Sequence, residues 1–286
     1  MTTAPTPLPD APRIAVIGTG VMGGTLITAL RVAGWPQDRI TAASRTEGSA
    51  KAVRDNHGVV VELDAAEAVK DADAVMLAVK PQDMGAALEQ ISGSLKEGVL
   101  VITVAAALST AFYEARLPEG TPVVRAMPNT PSVIARGATG IAAGANATPS
   151  HLQLAAGMLR ATGLVVAVDE AQIDAVAAVS GSGPAYFYAF VEALTEAGVA
   201  QGLDRILATQ LAAQTLVGAA FLLQTSGESP QHLRQSVSSK GGTTLAALGA
   251  MDHAGLQGVV AAGVNAAVAR AKELGHELEG EAPSSL

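Results

Sequence analysis

Three glycines near the amino terminus have the spacing of a nucleotide-binding turn. An apolar run, Ile14–Ile17, leads directly into Gly18, Gly20 and Gly23, which form the pattern GxGxxG. In this pattern the first glycine makes a tight turn, the second lets the backbone approach a pyrophosphate, and the third lets the next helix pack closely on the strand. The first N–H groups of that helix face the anion. We therefore expect a bound dinucleotide; a purely structural glycine turn is the alternative.

A polar group further along the chain indicates which dinucleotide is bound. Ser44, Arg45 and Thr46 stand about 20 residues after the third glycine, where a site selective for NAD carries Asp or Glu to bind the ribose 2′-hydroxyl. A guanidinium and two hydroxyls suit a 2′-phosphate, and no carboxylate stands there to repel it. The pattern predicts NADPH, with NADH binding more weakly. A polar loop with an incidental arginine is the alternative.

Small residues end two further candidate strands. Residues 77–81 read LAVKP, and residues 104–107 read VAAA. Ligands of open α/β sheets bind at the carboxyl ends of the strands, so we expect both tracts to border the cofactor. Ala78, Ala105 and Ala106 would let the dinucleotide lie close to the backbone.

Two polar tracts lie where later helices begin. Residues 179–186 read VSGSGPAY, in which Ser180 and Ser182 either cap a helix or contact a ligand. Residues 238–245 read SSKGGTTL, where paired glycines let successive backbone N–H groups point one way at a helix amino terminus. This turn is suited to a small carboxylate; a simple helix cap is the alternative. The hydroxyls around it belong to Ser238, Ser239, Thr243 and Thr244.

Residues suited to strong acid–base chemistry are scarce. Lys80 is either a catalytic cation or, as we favour, a solvated residue at a strand end. The second half has two lysines, Lys240 and Lys272, and its histidines stand in polar contexts typical of solvated residues. A hydroxy-acid substrate would need a strong acid or base. An imine is basic enough to be protonated near neutral pH, so positioning would do most of the work.

The elements that position these residues change along the chain. Strands and amphipathic segments alternate in the first half, which predicts a mostly parallel, doubly wound α/β Rossmann sheet. The candidate strands are residues 14–17, 40–43, 59–61, 74–79, 99–104, 123–127 and 164–168, and the candidate helices there are residues 21–33, 65–71 and 82–95. The remainder is predicted to be all-α, with long helices at residues 186–200, 205–225 and 256–274.

These patterns predict two domains with polar ends. The predicted divisions are a disordered leader (1–12), an NADP-binding Rossmann domain (13–168), a helical dimerisation and substrate domain (169–276) and a disordered tail (277–286). The late helices are apolar on more than one face, which favours burial against another subunit; an ordinary helix buried within one subunit is the alternative.

The composition excludes several classes of function. Among 286 residues there is no Cys, which rules out disulfides, thiol nucleophiles and cysteine-bound metals, and no metal site is expected. A net charge of −8 without dense basic runs argues against nucleic-acid or membrane partners. No uninterrupted apolar run reaches the length of about 18 residues that a spanning helix needs. We expect a cytoplasmic protein with a small-molecule substrate.

Five tracts, taken in order, resemble the pyrroline-5-carboxylate reductase family over residues 13–275. They read GTGVMGG, LAVKPQ, RAMPNTPSVIARGATGI, SGSGPAYFYAFVEAL and VSSKGGTTLAAL. The resemblance implies hydride transfer from NADPH to the imine carbon of 1-pyrroline-5-carboxylate, giving L-proline in the last step of proline biosynthesis. It also implies helical domains that interleave in a homodimer, with rings of dimers as larger assemblies.

The resemblance also implies roles for individual residues. Ser239 and the N–H groups of Gly242 and Thr243 would hold the substrate carboxylate, and the catalytic Thr244 hydroxyl would guide protonation of the ring nitrogen. Asn129 would shape the nicotinamide side of the cleft. The complete predicted cofactor set is Gly18, Gly20, Val21, Met22, Gly23, Ser44, Arg45, Ala78, Val79, Lys80, Pro81, Ala105, Ala106 and Asn129.

Two positions depart from the family pattern. Lys240 replaces a common proline before the paired glycines and brings a cation near the carboxylate site, and Ala107 replaces a frequent glycine after the fifth strand. Reduction of another cyclic imine acid and a non-catalytic sensor of NADPH and a small acid are the alternative functions. A β-hydroxyacid dehydrogenase would be expected to carry a lysine on the first long helix of the second domain, and residues 186–200 contain none.

Overall fold

Eight strands of this chain lie in a single sheet. The computed structural model describes residues 11–280. In chain order the strands are β1 (Ile14–Ile17), β2 (Ile40–Ala43), β3 (Val60–Glu62), β4 (Ala74–Leu77), β5 (Leu100–Thr103), β6 (Val123–Met127), β7 (Gly137–Ala143) and β8 (Gly163–Ala167). The helices are α1 (Val21–Val32), α2 (Glu47–His57), α3 (Ala65–Val69), α4 (Met84–Ser92), α5 (Thr110–Glu114), α6 (Pro149–Leu159), α7 (Ile173–Val176), α8 (Gly183–Ala200), α9 (Arg205–Ser226), α10 (Pro230–Ser236), α11 (Thr243–His253) and α12 (Leu256–Glu279).

The strand order confirms the predicted doubly wound sheet. Neighbours follow the order β3-β2-β1-β4-β5-β6-β7-β8, and every adjacent pair is parallel except β6 with β7. The first six strands thus have the 3-2-1-4-5-6 order of dinucleotide-binding sheets, in which the order reverses beside β1. The carboxyl ends of β1 and β4 therefore meet at the edge where the glycine turn lies.

The seventh strand is absent from the sequence prediction. Its sequence, GATGIAA, has few of the β-branched residues that mark the other strands. It forms because β6 offers an antiparallel partner, with Arg125 opposite Ala142. Its glycines also permit close packing: a Cβ at Gly140 would lie 2.8 Å from a methyl of Val176.

Apolar side chains cover both faces of the sheet. Leu26, Leu30 and Met158 from α1 and α6 belong to one buried cluster, and Leu88 and Ile91 from α4 belong to the other. The predicted strands form because their β-branched and aliphatic side chains are buried on both faces, as expected in a parallel sheet. This packing fixes the strand ends on which the cofactor residues lie.

One buried arginine joins β6 to the segment after β8. Arg125 is 6% exposed, and its guanidinium lies 3.3 Å from Asp174 and 3.8 Å from Glu170. Glu170 also accepts hydrogen bonds from the N–H and hydroxyl of Thr110, at 2.6 and 2.5 Å. A buried cation needs such partners, and removing Arg125 would leave the two carboxylates without their shared cation.

The chain divides into two compact units. One comprises the described residues up to Ser182 and from Ala267 onward, and the other comprises residues 183–266. The predicted functional boundary at residue 169 stays a prediction. Residues 1–10 and 281–286, which hold most of the predicted leader (1–12) and tail (277–286), lie outside the described residues.

Order extends further at both ends than we expected. Ala11 is buried in the core, and the carbonyl of Pro12 accepts a hydrogen bond from the Trp35 indole at 3.2 Å. At the other end α12 continues to Glu279, since Leu278 packs against a core cluster. These contacts, which have no local sequence signal, order residues that the composition assigned to a leader and a tail.

The second unit is helical, as predicted, and leaves most of its apolar residues exposed. Ala208 and Ala212 are buried, and a Cβ at Gly198 would lie 3.3 Å from the Cβ of Ala208, so α8 and α9 pack closely. By contrast Tyr188 is 62% exposed and Phe221 is 56% exposed. Helix α9 is long and apolar enough, by length and composition, to cross a membrane, a property that it shares with core helices of soluble proteins. Exposure of this extent indicates a surface that another molecule covers.

Candidate functional site

The glycine turn has the geometry that each of its glycines was expected to need. Gly18 has φ +93°, and a Cβ there would lie 2.9 Å from the carbonyl of Ala78. A Cβ at Gly23 would overlap the carbonyl oxygen of Gly18. Gly18 therefore makes the turn and Gly23 lets α1 pack against it. Gly23 acts in this packing, and direct contact with a cofactor stays a prediction.

Gly20 differs, because it faces open space. Apart from its chain neighbours, no described residue has a heavy atom within 4 Å of a Cβ built at Gly20. Helix α1 begins at the next residue, and Val21 is 80% exposed, so the first N–H groups of the helix are accessible. A bare backbone at an open helix amino terminus is what a pyrophosphate requires. The residues present therefore fit a dinucleotide.

A cleft of about 480 Å³ lies beside this turn. Seven of the predicted cofactor residues line it, from three different segments of the chain. They are Gly18, Gly20, Ser44, Arg45, Ala78, Val79 and Lys80. The sequence analysis missed Thr19, Ser49, Asp83 and Gln90 as lining residues. Only the strand order could have indicated these residues, because the sheet brings the segments after β1, β2 and β4 to one edge.

The polar groups at the cleft are not equally free to bind a phosphate. The Ser44 hydroxyl is buried and lies 2.5 Å from that of Thr19. The Thr46 hydroxyl caps α2 by accepting from the Ser49 N–H at 3.3 Å. Arg45 has an 86% exposed side chain, held loosely 3.5 Å from Asp83. The guanidinium is thus the group available to a 2′-phosphate, whereas the two hydroxyls already have partners.

The remaining predicted cofactor residues lie outside the lining of this cleft. Met22 is half-buried on α1, and Pro81 begins a short 3₁₀ turn after Lys80. Ala105 is buried after β5, where its N–H donates to the Thr103 hydroxyl at 3.3 Å, and Ala106 is exposed. Their contacts with a cofactor stay predictions.

Asn129 has a structural role that the motif did not reveal. Its amide nitrogen donates to the carbonyl of Ser180 at 2.9 Å, and its oxygen accepts from the N–H of Ala138 at 2.9 Å. The side chain therefore joins the turn after β6 to β7 and to the SGSGP tract. A role beside the nicotinamide remains a prediction.

The SGSGP tract, residues 180–184, begins in a π-helical turn and ends in the first residues of α8. Residues Ala177–Gly181 form this turn between α7 and α8, and such turns are frequent at functional sites. The Ser180 hydroxyl donates to the carbonyl of Val176 at 2.9 Å, which accounts for its polar group without a ligand. A Cβ at Gly181 would lie 2.8 Å from the terminal methyl of Met127, so the glycine allows this turn to pack on β6.

In the helical unit, the SSKGGTT tract makes a turn that opens α11. Gly241 has φ +73°, and the N–H of Gly242 donates to the carbonyl of Ser239 at 3.0 Å. A Cβ at Gly242 would lie 2.5 Å from the Ser239 hydroxyl oxygen. Gly242 has no side chain to cap the helix, so N–H groups of the first turn are open to a carboxylate.

The predicted substrate residues thus lie together in sequence and structure, whereas the predicted cofactor residues lie in the other unit. Ser239, Gly242, Thr243 and Thr244 all belong to the turn and the first residues of α11. Lys240 is exposed in this turn. Among residues 11–280 there is no group of three or more His, Asp or Glu that could hold a metal ion.

Known families match both units of the chain. Residues 170–274 match the model for pyrroline-5-carboxylate reductase dimerisation, and residues 13–107 match that for coenzyme F420-dependent NADP oxidoreductases. A pyrroline-5-carboxylate reductase of Pseudomonas aeruginosa is 41% identical over 270 residues, which cover 94% of this chain and 99% of that protein.

Solved structures agree with this match. A pyrroline-5-carboxylate reductase of Coxiella burnetii has a TM-score of 0.89 at 37% identity and covers 93% of this chain and 99% of its own. The Plasmodium falciparum pyrroline carboxylate reductase, solved with NADP bound, has a TM-score of 0.80 at 25% identity, with 93% and 99% covered.

Proposed function

This chain belongs to the pyrroline-5-carboxylate reductase family, and we propose that it reduces 1-pyrroline-5-carboxylate to L-proline with NADPH. The observation that carries the proposal is the open amino terminus of α11, set behind Gly241 and Gly242, in a chain whose other unit has a dinucleotide cleft. A carboxylate site and a hydride-carrying cofactor are the two things that this reaction needs.

The proposed carboxylate site is the turn that opens α11. The Ser239 hydroxyl and the N–H groups of Gly242 and Thr243 would donate to the carboxylate, and the helix dipole would favour its charge. Lys240 adds a cation to this turn, which is expected to raise affinity for an anionic substrate. The site would then fix the imine carbon in position, the main contribution that a reductase of an iminium has to make.

Thr244 is the proposed catalytic residue. A threonine hydroxyl is too weak an acid to act unaided at neutral pH, so its role would be to relay a proton from water to the imine nitrogen, or to donate a hydrogen bond to the lone pair that forms on the nitrogen as hydride is added. The ring nitrogen keeps its proton as the imine carbon gains hydride, and the product is a neutral ring amine that protonates in water. When bound, the nicotinamide supplies the hydride.

We propose NADPH as the preferred cofactor, with Arg45 recognising the 2′-phosphate. Arg45 lines the cleft with an exposed guanidinium, and no carboxylate stands at the position where an NAD-selective site has one. Asp83 lies 3.5 Å from the guanidinium and competes with the phosphate for it. We therefore expect a preference for NADPH that this carboxylate weakens.

We further propose a homodimer as the minimal active form, with rings of dimers as larger assemblies, acting in the cytoplasm. The match of residues 170–274 to a dimerisation model supports self-association. The exposed aromatic residues of α8 and α9, among them Tyr188 and Phe221, supply an apolar surface for it.

The direct test follows nicotinamide absorbance when the purified protein meets NADPH and 1-pyrroline-5-carboxylate. The six-membered cyclic imine acid and NADH are run beside them. Rapid oxidation of NADPH with the five-membered ring is expected. Oxidation with the six-membered ring alone would move the function to another imine reductase, and binding of NADPH without turnover of either acid would favour a sensor.

A further inference from the structure

The carboxyl-terminal end of α12 contacts a loop in which Ala105 and Ala106 are predicted to border the cofactor. This loop, residues 104–109, joins β5 to α5 and is called the β5 loop below. The N–H of Ser109 donates to a carboxylate oxygen of Glu279 at 2.6 Å. Gly275 is buried, and a Cβ there would lie 2.9 Å from the carbonyl oxygen of Ala107.

The β5 loop has a backbone conformation that needs support. Ala107 has φ +73°, in the left-handed region that L side chains rarely adopt. A strained residue persists only where surrounding contacts over-determine it. Its neighbours are fixed on one side by Thr103, whose hydroxyl accepts from the Ala105 N–H at 3.3 Å and donates to the Tyr113 hydroxyl at 2.6 Å. The contacts from α12 fix the other side.

The position of the β5 loop makes this support relevant to cofactor binding. The loop begins at the carboxyl end of β5, two strands from β1 in the sheet order, on the edge where ligands of such sheets bind. The glycine turn and Arg45 lie after β1 and β2, in the cleft proposed for the adenosine half of the dinucleotide. The β5 loop is therefore placed for the nicotinamide half.

We propose that Glu279 and Gly275 are positioning residues that hold the β5 loop in the shape that accepts the nicotinamide half of the cofactor. The inference rests on the proposed function, since it assumes a dinucleotide at this edge. Glu279 holds the loop by a charge-assisted hydrogen bond to the Ser109 N–H, which is stronger than a neutral one. Gly275 contributes by having no side chain, so that the helix backbone can approach the Ala107 carbonyl.

The test compares a ligand that would contact the β5 loop with one that would not. NADPH would contact both the adenosine cleft and the β5 loop, whereas 2′,5′-ADP would contact only the adenosine cleft. In Glu279→Ala we expect the Kd for NADPH to rise about 10-fold while the Kd for 2′,5′-ADP changes less than about 2-fold, because only the loop loses its partner. Both constants are measured by titration calorimetry, independently of turnover.

Glu277 provides a matched control on the same helix. Its exposed carboxylate pairs with Arg270 at 2.8 Å, so Glu277→Ala removes the same charge without touching the β5 loop. We expect this variant to bind both ligands like the original chain. Glu279→Gln keeps an oxygen that accepts from the Ser109 N–H and should restore most of the NADPH affinity. A general loss of stability would instead weaken both ligands in parallel.

Gly275→Ala separates loop position from helix stability. Alanine favours a helix more than glycine does, so a loss in this variant would come from its Cβ displacing the Ala107 carbonyl and not from a weaker helix. We expect weaker NADPH binding, unchanged 2′,5′-ADP binding, and faster hydrogen exchange of residues 104–109 in the absence of any ligand. Glu279→Ala should speed the same exchange.

Two results would overturn the inference in distinguishable ways. If the original chain binds NADPH and 2′,5′-ADP but Glu279→Ala behaves like Glu277→Ala, the positioning role is wrong and the proposed function stands. If the original chain binds neither ligand, the proposed function fails and this inference fails with it.

Discussion

The two units of this chain differ in how much of their apolar surface they bury within a single chain. The sheet unit buries large aliphatic side chains on both faces and has a formed cleft with a glycine turn, an open helix terminus and Arg45 at its rim. The helical unit buries little beyond Ala208, Ala212 and Thr195, and exposes aromatic and aliphatic residues along α8 and α9. A single chain can therefore present a cofactor cleft, whereas its helical unit needs a partner to cover it.

This contrast predicts that cofactor binding and turnover depend differently on self-association. The proposed substrate residues of α11 belong to the unit that depends on self-association, and the cofactor residues belong to the other. Cofactor binding should survive loss of the oligomer, and turnover should not.

The largest expected effect comes from placing a charge on the exposed apolar surface. Phe221→Asp should abolish self-association and lower imine reduction more than about 100-fold, because a buried unpaired carboxylate opposes association strongly. Binding of 2′,5′-ADP should stay within about 2-fold, since its contacts lie in the sheet unit. Analytical ultracentrifugation and absorbance assays measure the two properties.

Val32→Asp is the control for Phe221→Asp. Val32 is 60% exposed on α1 in the sheet unit, so the same type of charge falls on a surface with no expected partner. It should leave the oligomer intact. A monomeric Phe221→Asp protein with the original turnover rate would refute the contrast between the units.

Next in size is the loss of the Thr244 hydroxyl. Thr244→Ala should lower kcat/KM by about 10- to 1000-fold, as expected for removal of one transition-state hydrogen-bond donor. The Kd for NADPH should not change, because the affected residue lies in the helical unit. Thr244→Ser should recover most of the rate. The control is Thr209→Ala, which removes an exposed hydroxyl hydrogen-bonded to the Arg205 carbonyl. If Thr244→Ala kept the rate of the original chain, Thr244 would have no part in the mechanism.

The third prediction concerns the cofactor cleft alone. Arg45→Ala should raise the Kd for NADPH about 10- to 100-fold and that for NADH less than about 3-fold, since NADH has no 2′-phosphate to pair with the guanidinium. Fluorescence titration of both nucleotides gives the ratio, and Lys51→Ala, which removes a cation paired with Asp55, is the control. Equal weakening of both nucleotides would contradict the assignment.

Asp83→Asn tests the same role of Arg45 by removing the carboxylate that competes for its guanidinium. The neutral amide should release Arg45 and tighten NADPH about 2- to 3-fold, a small effect because the ion pair is exposed to solvent. NADH should be unaffected. Weaker NADPH binding would mean that Asp83 orients the guanidinium rather than competing for it.

The sequence predicted those parts of the molecule that have a local signal. Strands β1, β4 and β5 are runs of buried aliphatic residues, and Gly18 and Gly23 stand where only a missing side chain allows the turn. Strand β7 has no such run and forms because β6 provides its partner. Helices α8 and α9 were predictable for the same reason as the strands, from long apolar segments.

Long-range contacts account for what the sequence did not predict. Asp83 meets Arg45 only because β2 and β4 both flank β1 in the sheet. Asn129 is engaged by the Ser180 carbonyl, and Glu279 by the Ser109 N–H, across separations with no pattern to reveal them. The Ser44 hydroxyl, assigned to a phosphate from its chemistry, meets the Thr19 hydroxyl for the same reason. The Thr46 hydroxyl is instead engaged locally, as the cap of α2.

The smallest expected effect tests the strain in the sheet unit. Ala107 has φ +73°, where glycine avoids the clash of a Cβ with the backbone. Glycine also costs more chain entropy on folding, so Ala107→Gly should stabilise the protein by about 0 to 1 kcal/mol. Ala106→Gly, in the same loop but without a positive φ, should instead destabilise it by about 0.5 to 1 kcal/mol. If Ala107 is strained, the denaturant midpoint should rise in Ala107→Gly and fall in Ala106→Gly. A lower midpoint in both variants would mean that the contacts from α12 hold the loop in a shape that alanine adopts without cost.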